Sequence, residues 1–192
     1  MRGVAPIIRI RLLSRVICCA LAISALSAGH LYAQSPPPTD YQVKAAYLSN
    51  FGRFVEWTRR PFAPEEQSFN VCILGDDPFG PALDAAVAGE SVHRLPLAAR
   101  RISKVQDAAA CRIVFLSSSE SSAAKAVLPQ LEAAGVLTVS DMSQFTRRGG
   151  VIELVLVGNK VRFEINLAAA ERAGVTLSSE LLKLAVAVRK AP

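Results

Sequence analysis

The chain has 192 residues, of which 51% are hydrophobic and only 6% aromatic, and its formal net charge is +6 at pH 7. This length is enough for one ordinary domain core. The basic residues do not form a stripe with interleaved aromatic side chains, so the sequence gives no indication of nucleic-acid binding.

The first 33 residues have the features of an export signal. Four arginines and no acidic residue lie at the start, and an apolar run over residues 16–28 follows that is short for a membrane span. We predict cleavage after Ala33, with cleavage after Gly29 or an uncleaved N-terminal anchor as the alternatives. Removal of this leader leaves 18 basic and 16 acidic residues, a formal net charge of +2.

The remaining chain divides into a short tether and one domain. Residues 34–40 include three consecutive prolines, which predict a stiff, extended tether. Residues 41–192 are expected to fold as a single α/β domain. None of its apolar runs is both long and uncharged enough to cross a membrane, so we predict no membrane span after cleavage of the leader.

The first half of the domain predicts alternating strands and helices. Thr39 and Gln42 have the spacing of a capping box, which opens a helix that ends near Trp57 or Pro61. A buried-type strand at 69–74 follows, and the turn at 75–80 leads into a helix near 78–88.

The alternation continues through the middle of the chain. The sequence predicts a strand at Val92 and 97–102 interrupted by Pro96, a short helix at 108–110, and strands at 111–117 and 136–140 around a helix at 119–134. This βαβαβ order predicts a three-layer, Rossmann-like α/β domain with a mostly parallel sheet and helices on both faces.

The last part of the chain departs from this order. Residues 150–157 and 160–166 flank Gly158-Asn159, a dipeptide typical of a two-residue hairpin, so the sheet should finish with an antiparallel pair. Ser178 is expected to cap a closing helix. We expect its apolar residues to pack inward: Leu181, Leu182, Leu184, Ala185 and Val188.

Two cysteines, Cys72 and Cys111, remain after the leader, and each lies in a strand-like run. Export favours a disulfide between them, and two buried free thiols are the alternative. The sequence has no Cys-x-x-Cys motif, so a redox-catalytic role is not expected.

No catalytic constellation stands out in the sequence. His93 is the one histidine after the leader and has no carboxylate beside it, so neither a Ser-His-Asp triad nor a zinc site is indicated. The turn at 75–80 lacks the glycine spacing of a phosphate loop. We therefore expect a protein that is not an enzyme and that uses no cofactor or metal.

Two groups of residues are candidates for binding. Arg162, Glu164 and Asn166 alternate with apolar residues, which puts all three on one face of a strand. That face is ordinary solvated surface, a docking face or the wall of a pocket. The aromatic residues Phe51, Phe54 and Trp57 either face the core or form the lip of a pocket.

Ordered blocks between residues 41 and 189 resemble the YfiR family, and together they cover nearly the whole domain. The blocks are Val43-Lys-Ala-Ala-Tyr-Leu-Ser-Asn-Phe, Phe54-Val-Glu-Trp, Cys72-Ile-Leu-Gly-Asp-Asp-Pro-Phe-Gly, Leu137-Thr-Val-Ser-Asp, Val161-Arg-Phe-Glu-Ile-Asn and Leu177-Ser-Ser-Glu-Leu-Leu-Lys-Leu. The family's strand cysteines fall on Cys72 and Cys111. A second cysteine pair that some relatives carry near the Gly-Gly turn has no counterpart here.

The resemblance implies a periplasmic repressor. It would bind the periplasmic domain of an inner-membrane diguanylate cyclase, lower cyclic-di-GMP signalling and disfavour biofilm formation. The expected partner-binding residues are Arg162, Glu164, Asn166 and Arg172. Because a cyclase works as a dimer, a homodimeric or two-copy repressor is expected as well. The alternative is a periplasmic small-ligand receptor or transport accessory protein, with a pocket near Phe51, Phe54 and Trp57.

Overall fold

An eight-stranded, mostly parallel sheet organises the fold. The computed structural model describes residues 37–190, so the predicted leader lies outside the described residues. The strands are β1 Val55–Trp57, β2 Phe69–Leu74, β3 Ser91–Val92, β4 Leu95–Ile102, β5 Ile113–Leu116, β6 Leu137–Ser140, β7 Ile152–Val157, β8 Lys160–Asn166, β9 Val175–Leu177 and β10 Ala187–Arg189. The strand order in the sheet is β10-β8-β7-β6-β5-β2-β4-β3.

Helices lie on both faces of the sheet, and a small antiparallel sheet of β1 and β9 completes the domain. The α-helices are α1 Asp40–Phe51, α2 Pro81–Val87, α3 Ala124–Ala133, α4 Leu167–Ala173 and α5 Ser179–Leu184. The predicted α/β class with a mostly parallel sheet is confirmed. No helix within residues 37–190 combines the length and the apolar character that a membrane span requires.

The central strand β2 explains why the fold has two apolar layers. All six of its residues are buried, and successive side chains point to opposite faces of the sheet. Val71 and Ile73 belong to the apolar cluster under α1 and α2. Cys72 and Leu74 belong to a second cluster, which includes residues of α3. Because β2 is buried on both faces, its sequence is a nearly continuous apolar run and does not alternate between apolar and polar residues.

The capping box at the start of α1 is present as predicted. The Thr39 hydroxyl accepts a hydrogen bond from the Gln42 backbone N–H (3.3 Å), and the Gln42 side chain accepts one from the Thr39 N–H (2.7 Å). These bonds satisfy two donors that an uncapped helix would leave free, so they fix the residue at which the helix begins.

The predicted disulfide is present between Cys72 in β2 and Cys111, just before β5. The two Cα atoms are 5.9 Å apart, within the range that a disulfide spans. Both cysteines are fully buried in the second apolar cluster. The bridge therefore joins two neighbouring parallel strands from within the core.

The predicted antiparallel hairpin is confirmed in β7 and β8. Gly158 and Asn159 form its loop with φ of 53° and 61°, as a two-residue type I′ turn requires. β6 pairs only with Ile152 and Glu153 of β7, so the rest of the hairpin extends beyond that neighbour. Leu156 at its end is 56% exposed.

Three predictions about strand and helix ends were wrong. The first helix ends at Phe51, not near Trp57 or Pro61, and Trp57 lies in strand β1. Pro96 does not interrupt its strand, because the pairing of β4 with β2 begins only at Leu97. The closing helix α5 ends at Leu184, whose side chain is 62% exposed instead of buried. Val188 lies in β10, which pairs in parallel with β8. A helix of six residues points few side chains inward, and the free edge of β8 accepts the chain that follows.

Candidate interaction site

The candidate site is one face of the sheet formed by β7, β8 and β10, which we call the outer face. Glu164 and Arg162 lie next to each other along this face of β8. Cross-strand pairing places Val155 of β7 beside Arg162, and it places Ala187 of β10 and Glu153 of β7 on either side of Glu164. Glu153 is buried, and the other residues are half-buried. The sheet is therefore only partly covered here, unlike at its centre.

Strand β8 has the two-residue alternation that the sequence predicts. Val161, Phe163 and Ile165 are buried against the opposite layer, whereas Arg162 and Glu164 between them are partly exposed. The alternation follows from the pleat of a strand, in which neighbouring side chains leave the sheet on opposite sides. Arg162 and Glu164 are thus brought together on the outer face.

Glu164 forms an ion pair with Arg189 of β10. The Arg189 Nη2 lies 3.3 Å from the Glu164 Oε2, and the two side chains are 33% and 24% exposed. An ion pair with this much exposure contributes about 0–1 kcal/mol to stability. The Arg189 Nε is buried and has no hydrogen-bond acceptor among the described residues. The pair is therefore incompletely satisfied.

Asn166 is placed differently from the sequence-based expectation of a contact residue. Its side chain is only 3% exposed. The Oδ1 accepts the Ala169 backbone N–H (3.0 Å), which caps α4, and the Nδ2 donates to the Thr146 carbonyl (2.7 Å). Both polar atoms are thus used inside the domain, so Asn166 acts as a helix cap instead of a surface group.

We expect Asn166→Ala to lower the free energy of unfolding by about 1–2 kcal/mol, because loss of a helix cap has this cost. The variant also leaves the buried Thr146 carbonyl without its donor. Urea unfolding followed by circular dichroism measures the change. Asn166→Ser is the matched control, since serine also caps helices, and it should lose less stability than the alanine variant. Equal losses would show that the cap contributes nothing.

Arg172 is not brought to the outer face with Arg162 and Glu164. It lies in the last turn of α4, at the opposite end of the helix from the capping residue Asn166. Its Nε donates to Glu132 on α3 (2.9 Å), and its carbonyl accepts from Arg59. Arg172 thus connects α4 to neighbouring elements.

Arg189 was not among the site residues predicted from the sequence, although the alternating sequence Ala-Val-Ala-Val-Arg that contains it is typical of a strand.

An apolar groove lies on the other side of β8, between α1 and α5. Its volume is about 370 Å³, and Phe51, Phe54, Phe163 and the exposed Leu184 contribute to its lining. Trp57 does not line it. The indole is 5% exposed and packs edge-on against Phe69, with ring centroids 5.4 Å apart. Two of the three aromatic residues selected from the sequence therefore face the groove, and the third is in the core.

The carboxylates near the ends of β2 and β6 are used within the fold. Asp77 accepts from the backbone N–H of Phe79 (2.7 Å) and pairs with Arg101 (2.8 Å). Asp141 accepts from Lys44 (2.6 Å) and from the Tyr41 hydroxyl (3.0 Å). Burial, followed by this hydrogen bond, raises the pKa of Tyr41 to about 12. Residues 37–190 contain no group of three or more metal-ligating side chains.

Comparison with known proteins gives one family and several solved structures, of which two are described. The family model described as YfiR/HmsC-like matches residues 41–186. A conserved domain protein from Vibrio cholerae is 15% identical, with a TM-score of 0.47 over 66% of this chain and 56% of its own. An ABC domain from Streptococcus pneumonia in complex with L-Trp is 10% identical, with a TM-score of 0.49 over 78% and 60%. The chain thus spans less than two thirds of either protein.

Proposed function

This chain belongs to the YfiR/HmsC-like family, and from that premise we propose that it is a periplasmic regulatory protein without catalytic activity. It binds the periplasmic domain of an inner-membrane diguanylate cyclase and holds the enzyme inactive. Release of the cyclase raises cyclic-di-GMP and favours the sessile, biofilm-forming state. The observation that carries this proposal is the family match over residues 41–186, which is nearly the whole domain.

The outer face supports a binding role. It presents Arg162, Glu164 and Arg189 on a rigid sheet, and their side chains are neither fully buried nor fully solvated. Charged side chains that are already partly held on a sheet suit specific recognition. They lose little conformational entropy when the partner binds, so binding costs less free energy. We assign Arg162 and Glu164 to the partner interface, with Arg189 as their neighbour.

Repression follows from preferential binding. The repressor must bind the inactive cyclase conformation more tightly than the active one, since a ligand shifts an equilibrium only by its difference in affinity for the two states. A cyclase works as a dimer, so we propose that two copies of this chain, as a homodimer or as separate monomers, bind one cyclase dimer.

Glu164→Lys tests the interface. The change removes the pair with Arg189 and places a third cation beside Arg162 and Arg189, so we expect binding of the cyclase's periplasmic domain to weaken at least tenfold. Cyclic-di-GMP should rise in cells that carry the variant. Stability should change by about 0.5–1 kcal/mol at most, as for other partly exposed charges. Isothermal titration and a thermal melt measure the two quantities.

Glu171→Lys is the matched control, because Glu171 is an exposed residue of α4 and undergoes the same charge change. It should bind the cyclase domain like the unmodified chain. If folded Glu164→Lys keeps full affinity, Glu164 is not part of the interface. The proposed function fails as a whole if the unmodified chain binds the periplasmic domain of no diguanylate cyclase that the same genome encodes.

The groove favours a second candidate function, that of a periplasmic small-ligand receptor or transport accessory protein. Its apolar lining and its volume of about 370 Å³ fall within the range of small-molecule sites. If the chain is a small-ligand receptor, Phe54→Ala should abolish ligand binding. If it is a cyclase repressor, the same variant should bind the cyclase like the unmodified chain. Titration of the chain with small aromatic compounds, followed by the melting temperature, distinguishes the two.

A further inference from the structure

The outer face has more positive than negative charge available to a partner. Lys160 and Arg162 of β8 lie within 4 Å of no carboxylate in residues 37–190, whereas Arg189 is paired with Glu164. The Arg162 Nη1 donates only to the carbonyl of the preceding residue, Val161 (3.2 Å). The Arg162 guanidinium therefore keeps most of its donors free, although it is half-buried.

The nearest acidic residue on β7 is not available to Arg162. Glu153 is 7% exposed, and its two oxygens accept hydrogen bonds from the N–H of Gln144 (2.9 Å) and from the N–H and hydroxyl of Thr146 (3.1 Å each). The residue that pairs directly with Arg162 across β7 is Val155, which offers no acceptor. Its neighbour along the strand, Glu164, pairs with Arg189 instead, so no carboxylate of residues 37–190 forms an ion pair with Arg162.

The end of the outer face next to the hairpin loop adds apolar character. There, the 52% exposed Val157 pairs with Lys160. A complementary surface therefore requires carboxylates opposite the cations and apolar side chains opposite the valines.

We propose that Arg162 is the recognition point for a carboxylate on an acidic segment of the partner. This inference rests on the proposed function and names the chemistry of the partner, an Asp or Glu side chain with an apolar neighbour. A guanidinium suits this task because its planar donors bind both carboxylate oxygens at once. The Glu164–Arg189 pair lies beside it and limits where the incoming carboxylate can sit.

The test compares charge variants at Arg162, with the purified periplasmic domain of the repressed cyclase as the probe. Arg162→Glu should weaken binding at least tenfold, and Arg162→Lys should weaken it only a few-fold, since it keeps the charge and loses the fork geometry. The affinity of the unmodified chain should fall as salt rises, and that of Arg162→Gln should fall less.

Arg100→Glu is the matched control, because Arg100 is an exposed strand residue of β4, near the opposite edge of the same sheet. It should leave binding unchanged. Folding of each variant is checked by circular dichroism, and Arg162→Gln replaces Arg162→Glu if the latter does not fold. Unchanged affinity of the folded Arg162 variant would overturn the inference and leave the proposed function intact.

A partner-independent probe separates the inference from the proposed function. If no cyclase domain binds, the peptides acetyl-Glu-Val-Glu-amide and acetyl-Lys-Val-Lys-amide are titrated in turn against the isotope-labelled chain. The acidic peptide should shift the NMR signals of residues 160–164 and of the Arg162 side chain, and the basic peptide should not. Equal shifts, or none, would overturn the inference on its own terms.

Discussion

Replacement of both bridged cysteines, Cys72→Ala with Cys111→Ala, is expected to lower the free energy of unfolding by about 4 kcal/mol. The two residues are 39 positions apart in the chain. Closing a loop of this length lowers the conformational entropy of the unfolded state, which raises the free energy of unfolding by about 4 kcal/mol. Both sulfur atoms are buried in an apolar cluster, so the alanines add a smaller loss from poorer packing. Urea unfolding at equilibrium measures the difference.

The reduced, unmodified chain is the control for this experiment. In dithiothreitol it should unfold at nearly the same urea concentration as the double variant, because the loss of the bridge dominates. Thiol titration of denatured, unreduced protein should find no free thiol at Cys72 and Cys111. Two free thiols, or equal stability of the bridged and unbridged chains, would contradict the prediction.

Glu66→Ala is expected to lower the free energy of unfolding by about 3 kcal/mol, because it leaves the Arg112 guanidinium buried without a counter-charge. Arg112 is 1% exposed and pairs with both oxygens of Glu66. Its Nη2 also donates to the Pro61 carbonyl (3.3 Å), and its Cζ lies 4.0 Å from the centre of the Phe62 ring. The segment before β2 is thus held to the sheet through Arg112.

A neighbouring cation makes the loss of Glu66 more severe. Burial, and then the charge of Arg112, lowers the pKa of the Arg60 guanidinium, and Glu66 partly offsets this effect. Without Glu66, two cations face each other in a partly buried region. Glu65→Ala is the matched control, because Glu65 is exposed and adjacent in the chain, and it should change stability by no more than about 0.5 kcal/mol. Equal losses in the two variants would show that the Glu66–Arg112 pair is not stabilising.

The elements with strong local signals were predictable from the sequence. The six apolar residues of β2, the Gly158-Asn159 turn and the Thr39 capping box each specify their structure within a few residues, and all three are as predicted. The alternation in β8 likewise indicates which of its residues are buried. In these segments the length of the apolar run, its alternation and the flanking turn residues agree on one structure.

Features that depend on distant contacts were not predictable from the sequence. The alternating residues before Arg189 are typical of a strand, but the sequence does not show that β8 offers the free edge with which β10 pairs. Asn166 fits a period-two pattern, but the start of α4 and the carbonyl of Thr146 give it a buried role. The burial of Trp57 depends on Phe69, which lies in another strand. In each case, a contact that only the fold creates decides the role of the residue.

Strand β8 carries the groove and the outer face on two consecutive residues, Phe163 and Glu164. The backbone between them is shared, so a substitution that moves the strand to suit one surface also moves the other. Effects of paired substitutions at neighbouring positions are commonly non-additive. Variation at either surface is therefore restricted by the opposite one, and only a double-mutant cycle can separate their contributions.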